Sequence, residues 1–308
     1  MKLYCSIAIA LWQLIGSPVY SQTVGNSKHE IVIHKLSSDI NSKADDYGAY
    51  LAKNGLTIYF VSNRFLQKTH VYMAKRKALD SAWGEAEYCK ISGNQHYVGA
   101  IAFDNIGRFY FATNRESRDI NIWEGFGLDS TPTIRALPSP VKTTEWENHP
   151  SVTGDGKTLY FASNRQNPGG LMEMLVDIFV AHRNSDDSWT TPQNLGSQIN
   201  IGIYNGTPFI SPDGRFLFFC SKEKNGIDIY TKLYMSEHLS DENIDWSKPA
   251  LLPFPINSDK ENMFPMITSD GKRILFSSNR DGKNGFDIYE AELPEDIYEK
   301  IHPSFTGK

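Results

Sequence analysis

The chain has 308 residues, 31 basic and 36 acidic, for a formal net charge of -5. That balance offers no basic stripe for a nucleic-acid backbone, and the length suffices for a full hydrophobic core. With 17 Phe, 15 Tyr and 6 Trp, and with Gly and Pro punctuating at short intervals, the composition favours an all-β chain.

Residues 1–21 read as an export signal. Lys2 supplies a thin positive start, "IAIALWQLIG" (7 to 16) is an apolar run too short to span a bilayer, and Val19 and Ser21 sit where a cleavage site wants small residues. Gln22 would begin the mature chain, taken as one domain over 22–308. Cys5 precedes the apolar run, so no lipid-anchor cleavage is expected, and no later apolar run is long enough for a membrane helix. Cys89 and Cys220 fall on non-adjacent repeats, which predicts two buried thiols rather than a disulfide. There is no CxxC, no HExxH and no zinc-ligand spacing; no metal or cofactor is expected.

Aligning the chain on itself gives five turn-strand cores: "NGLTIYFVSNR" (54 to 64), "NIGRFYFATNR" (105 to 115), "DGKTLYFASNR" (155 to 165), "DGRFLFFCSKE" (213 to 223) and "DGKRILFSSNR" (270 to 280). Asn-Gly and Asp-Gly are hairpin turns, because Gly takes a positive φ without penalty. Runs such as "TLYFAS" are apolar on both faces, as expected of a strand buried between two packed sheets. A short strand precedes each core, often with a Pro ("HPSVT", "TPFIS", "FPMIT"). A third strand follows, most clearly at "DIFVAHR", "DIYTKLY" and "DIYEAEL", and "W…P…L" marks a fourth. Four short strands in roughly fifty residues are the grammar of a β-propeller blade.

The element "LxxxIN" ends the fourth strand at Leu195–Asn200 and Leu252–Asn257, and recurs at Leu36–Asn41, before the first full repeat. The last repeat stops after its third strand. Residues 29–36 should therefore supply the missing strand and remove a sheet edge. The expectation is a five-bladed propeller of four-stranded blades at about 42–94, 95–142, 143–200, 201–257 and 258–293, closed by that N-terminal strand.

The pattern "P-x-h-[ST]-x-DG-x-x-h-x-F-x-SNR…DIY", in five copies across the mature chain, resembles the WD40-like repeat of the TolB-type propeller family. The combination "W…P…NLG…IN" resembles exported bacterial propellers that often precede an OmpA-type peptidoglycan-binding domain. The chain ends about fifteen residues after its last strand, so no such domain is expected on it. The resemblance implies an exported protein, periplasmic or secreted, that binds a protein or glycan partner at the cell envelope; a monomer is expected.

Residues repeated in every blade are expected to be part of the blade. Asn63, Asn114, Asn164 and Asn279, each followed by Arg, should cap the connecting loop and pair with neighbouring blades; blade four has Lys222-Glu223 there, so the pair is not indispensable. The entries to the innermost strands carry Asp45, Asp46, His96, Tyr97, Glu147, His149, Tyr204, Asn205, Glu261 and Asn262, and these are expected to ring one mouth of the channel. Carboxylates meeting there could hold a cation, bind a sugar or act as acid and base. The third blade also inserts "QNPGGLMEMLV", whose Leu171, Met172, Met174 and Leu175 suit a partner surface.

Two functions follow. The first is a non-catalytic binding propeller using that mouth and loop. The alternative is a carbohydrate-active enzyme, a glycoside hydrolase or lyase, using Asp46, Glu147 and Glu261. No GxSxG or other nucleophile motif is present.

Overall fold

In "TLYFAS" the alternation of the pleat decides everything: Leu159 and Phe161 pack toward one neighbouring sheet, and Tyr160 toward the other. The same split holds for Ile58 and Phe60 against Tyr59, and for Ile274 and Phe276 against Leu275. A strand apolar on both faces needs a sheet on each side, and a ring of sheets gives every strand two neighbours.

The computed structural model describes residues 30–65, 68–89, 91, 96–116, 118–128, 131–166, 175–222, 230–240, 244–282 and 285–306. They form five antiparallel sheets. Blade one holds Asp46–Leu51, Thr57–Ser62, His70–Lys75 and Glu87–Tyr88. Blade two holds Val98–Phe103, Phe109–Thr113, Asn121–Phe126 and Thr133–Ala136. Blade three holds Glu147–Val152, Thr158–Ser163, Asp177–His182 and Gln193–Asn194. Blade four holds Tyr204–Ile210, Phe216–Lys222, Lys232–Ser240 and the short outer strands Asp245–Trp246 and Ala250–Leu251. Blade five holds Asn262–Ile267, Arg273–Ser278 and Asp287–Glu292, and its outer strand is Ile33–Lys35 from the other end of the chain. The closure expected of the N-terminal strand is thus observed, with Ile33 opposite Ala291 and Lys35 opposite Tyr289.

Five apolar clusters seal the five blade-to-blade interfaces. The one between blades five and one joins Met266, Leu275 and Ile288 to Ile40, Ile58 and Phe60, so the ring closes through packing as well as pairing. Fully buried rings such as Phe60, Phe111, Phe161 and Phe276 each contribute about 1.5–3 kcal/mol of burial free energy.

The hairpin glycines behave as expected: Gly156 (φ 71°) and Gly214 (φ 80°) turn left-handed. At each of these turns the preceding Asp accepts the N–H two residues on, Asp155 from Lys157 at 3.0 Å and Asp213 from Arg215 at 3.1 Å. The repeated Pro of the innermost strand has a different cause. Every innermost strand carries a bulge, and Pro150, Pro208 and Pro265 fall inside it, where the ladder needs no N–H.

One element had no sequence signal. After Leu293 the chain forms a helix, α1 (Glu295–Thr306), whose Ile301 and Phe305 join the core between blades four and five. Phe305 stacks on Phe209 with ring centroids 6.3 Å apart, and Lys300 pairs with Glu237 at 2.8 Å. Cys220 is buried and Cys89 only half-buried; no disulfide joins them.

Candidate functional site

Near the start of each innermost strand one residue lies opposite a small hydroxyl residue: Asp46 opposite Ser62, Val98 opposite Thr113, Glu147 opposite Ser163, Asn205 opposite Ser221, Asn262 opposite Ser278. Sequence reading put the polar members of this set on the rim of a mouth. The structure buries them completely: Asp46, Glu147, Asn205 and Asn262 are all 0% exposed.

Each is consumed by the blade it starts. Asp46 accepts from the backbone and hydroxyl of Ser42 at 2.5 and 2.8 Å and pairs with Arg64 at 2.6 Å. Glu147 repeats the arrangement with Thr143 (3.0 and 2.6 Å) and Arg165 (3.3 Å), and burial holds its carboxyl above the usual carboxylate range. Asn262 accepts from Arg280 at 2.8 Å, and Asn205 accepts from Ser221 at 2.8 Å while also reaching Asp177 of blade three at 3.1 Å.

The repeated Asn-Arg pair completes this knot. Asn63, Asn114, Asn164 and Asn279 accept the N–H that enters the innermost strand of their own blade, at 2.9–3.0 Å. Arg165 reaches Val141 O at 2.6 Å, Arg280 reaches Ile256 O at 2.6 Å, and Arg64 reaches Ile40 O. These carbonyls lie in the turn leaving the previous blade's outer strand, so each Arg rivets two blades. Of the four blades that carry Asn-Arg, blade two departs with a reason: its position holds Val98, which offers no acceptor, and Arg115 is exposed over the Trp123 ring.

The remaining rim residues divide. Asp45 accepts from Phe286 N at 2.9 Å, and Glu261 accepts from Thr231 N and its hydroxyl at 2.8 and 2.5 Å. Both are partly buried, and both bond backbone rather than each other. His96, Tyr97 and Tyr204 are half-buried at the mouth. The Tyr97 hydroxyl accepts from Asn148 at 3.2 Å and meets that of Tyr47. Leu171, Met172 and Met174 lie outside the described residues. Leu175 is exposed, and its N–H bonds Ile203 O of the following blade at 2.8 Å.

Below this mouth the channel narrows at the bulges. Gly48, His149, Thr207 and Phe264 all have positive φ there, and a Cβ on Gly48 would stand 3.3 Å from that of Ala100. The non-glycine members are strained, as residues held by a surrounding ring can be. His149 packs edge-on to both Trp146 (5.3 Å) and Phe264 (5.0 Å). With no charge facing it, burial lowers its pKa to about 3. The mouth above this waist is therefore aromatic: Tyr47, Tyr97, Trp146 and Tyr204, with Phe264 as its floor. Sequence reading missed Trp146 and Phe264, although the residue before each repeated Pro marks the waist.

A second hollow lies on the other side of the waist, toward the hairpin turns. It is a cavity of about 380 Å³ lined by the lower halves of all five innermost strands and by Ser304, Phe305 and Thr306 of α1. Among the described residues no three His, Cys, Asp or Glu side chains gather as a metal-binding group.

No family profile and no curated protein matches the chain. Solved structures do. An endo-arabinase from Bacteroides thetaiotaomicron VPI-5482 aligns at TM-score 0.52 with 16% identity, over 84% of this chain and 96% of that one. An alpha-L-arabinofuranosidase from Lactobacillus brevis aligns at TM-score 0.50 with 16% identity, over 81% and 91%. TolB from Acinetobacter baumannii aligns at TM-score 0.48 with 15% identity over 82% of this chain, which spans 56% of TolB's length. Likeness at these identities is a likeness of fold.

Proposed function

We propose that the chain is an exported, non-catalytic binding propeller that recruits a protein or glycan partner at the bacterial cell envelope through the mouth where the innermost strands begin. One observation carries this reading: the acidic positions that an enzyme would use are committed to the blades, while the mouth itself presents aromatic rings. Asp46 and Glu147 are buried against Arg64 and Arg165. Trp146, Tyr97 and Tyr204 keep part of their surface open there, and such side chains dominate recognition surfaces because they bring large area with little entropy to lose. The leader-like segment 1–21 supports export. No described helix is long and apolar enough to cross a membrane.

The test has two arms. The immobilised protein is offered an envelope extract and a panel of polysaccharides including arabinan, and bound material is compared with that held by Trp146→Ala and Tyr204→Ala. Saturable capture lost in both variants is the expected result, and its identity as protein or glycan names the partner class. Turnover of arabinan or another glycan, abolished in Glu261→Gln, would replace the binding reading with the enzyme.

A further inference from the structure

The cavity below the waist is a chamber with features of its own. Its walls are Ala100, Phe103, Phe209, Phe264 and the three prolines of the bulges, and α1 borders one side through Phe305. Lys53 and Asp213, from the hairpin-turn segments, are the charged side chains in its lining. At about 380 Å³ it lies within the range of small-molecule pockets.

Two polar groups in its lining lack partners. His149 is 8% exposed and its Nδ1 is buried with no hydrogen bond; Ser304 is 5% exposed and its hydroxyl is likewise unmet. Thr207 offers a contrast, because its hydroxyl donates to Cys220 Sγ at 3.0 Å and accepts from Phe264 N at 3.1 Å. A buried polar group left unpaired is costly, and such groups in an apolar chamber mark where a ligand's polar atom is wanted. The aromatic walls select the rest of the ligand, since rings pack edge-to-face and offset against Phe. The neutral imidazole gives no attraction for an anion.

We infer that this chamber binds a small uncharged aromatic molecule carrying one hydrogen-bonding group, with the rings of Phe209, Phe264 and Phe305 around its body and the imidazole of His149 meeting its polar atom. The site is separate from the partner-binding mouth, and α1 helps to form it.

The probe is 2-naphthol, titrated into the full-length protein and followed by its fluorescence anisotropy, with naphthalene as the analogue lacking a hydroxyl. The expected result is saturable one-to-one binding. Ala100→Leu, which fills the chamber from the ring, and Ser304→Leu, which fills it from the helix, should each raise Kd by at least about tenfold with thermal midpoints retained. His149→Asn, which tolerates the left-handed backbone, should weaken 2-naphthol and leave naphthalene unchanged. Should Ala100→Leu unfold the ring, Ser304→Leu still decides, because it lies outside the blades. Absence of saturable binding, or binding indifferent to both filling variants, would overturn the site. Equal weakening of both probes by His149→Asn would remove the imidazole from it.

Discussion

Asn41 and Ile288, 247 residues apart in the chain, exchange a complete pair of hydrogen bonds: Ile288 N donates to Asn41 Oδ1 at 2.7 Å, and Asn41 Nδ2 donates to Ile288 O at 2.9 Å. The side chain thus imitates one residue of a β-ladder and clamps the N-terminal strand to the last blade. Asn200 does the same with Ile178, and Asn257 with Leu233, but within single blades.

Asn41→Ala should therefore be worse than its equivalents for ring closure. Two buried bonds are lost and two backbone groups are left unmet, which costs about 2–4 kcal/mol. Urea denaturation measures the loss. Amide exchange should show the last blade opening locally in Asn41→Ala, and no such local opening at this seam in Asn200→Ala.

The arginines of the repeat should differ sharply from one another. Arg280 is bonded to Pro255 O, Ile256 O and Asn262 at 2.6–2.8 Å and stacks over Phe276, whereas Arg115 is exposed. Arg280→Ala should lower stability by about 3 kcal/mol and Arg280→Lys recover less than half of that, since an ammonium cannot fork to three acceptors. Arg115→Ala should stay within about 0.5 kcal/mol. Equal effects in calorimetry would refute the rivet.

A second knot joins blades two and three on the outside. Glu124, 3% exposed, accepts Arg183 and Arg135 at 2.6 Å and Arg108 at 3.3 Å, and Asp187 closes the cluster onto Arg183 at 2.5 Å. Glu124→Ala leaves three guanidinium groups crowded around the single, more exposed carboxylate of Asp187, and should cost about 3–5 kcal/mol. Restored stability in the combined Glu124→Ala, Arg183→Ala variant, measured as a double-mutant cycle, would separate repulsion from lost packing.

Stability should rise with pH through the acid range because of His149. Its folded pKa is about 3, below the unfolded 6.5, so the unfolded chain binds more protons between those values. The sign is therefore positive: stability is full above about pH 6.5 and falls as pH drops toward 3, by up to about 4–5 kcal/mol from this group. Glu147 works the opposite way, since its raised carboxyl favours the protonated native state and loses stability as pH rises above the ordinary carboxylate range. His149→Asn should flatten the first slope and leave the second.

The ring was legible in the sequence because a blade is a local object. Each copy spells its own hairpin and its own doubly buried strand, four of the five spell an Asn-Arg pair, and the displaced "LxxxIN" at Leu36–Asn41 betrayed the closure. The conserved-looking rhythm also explains where reading the site went astray. A carboxylate that begins an innermost strand looks the same in sequence whether it faces the channel or turns back into the blade. Asp46 and Glu147 turn back because Arg64 and Arg165, eighteen residues on, offer a buried charge to meet.

The waist, the chamber and the helix were decided by tertiary structure alone. Whether Gly48, His149, Thr207 and Phe264 meet depends on five strands converging on one axis, and no window of sequence spans that distance. Helix α1 is set by the apolar shelf of blades four and five, onto which Ile301 and Phe305 settle; its own sequence, interrupted by Pro303, has little to specify a helix without that shelf. Repetition fixes what each blade is. The axis, where the blades differ most, is shaped by residues that only the closed ring brings together.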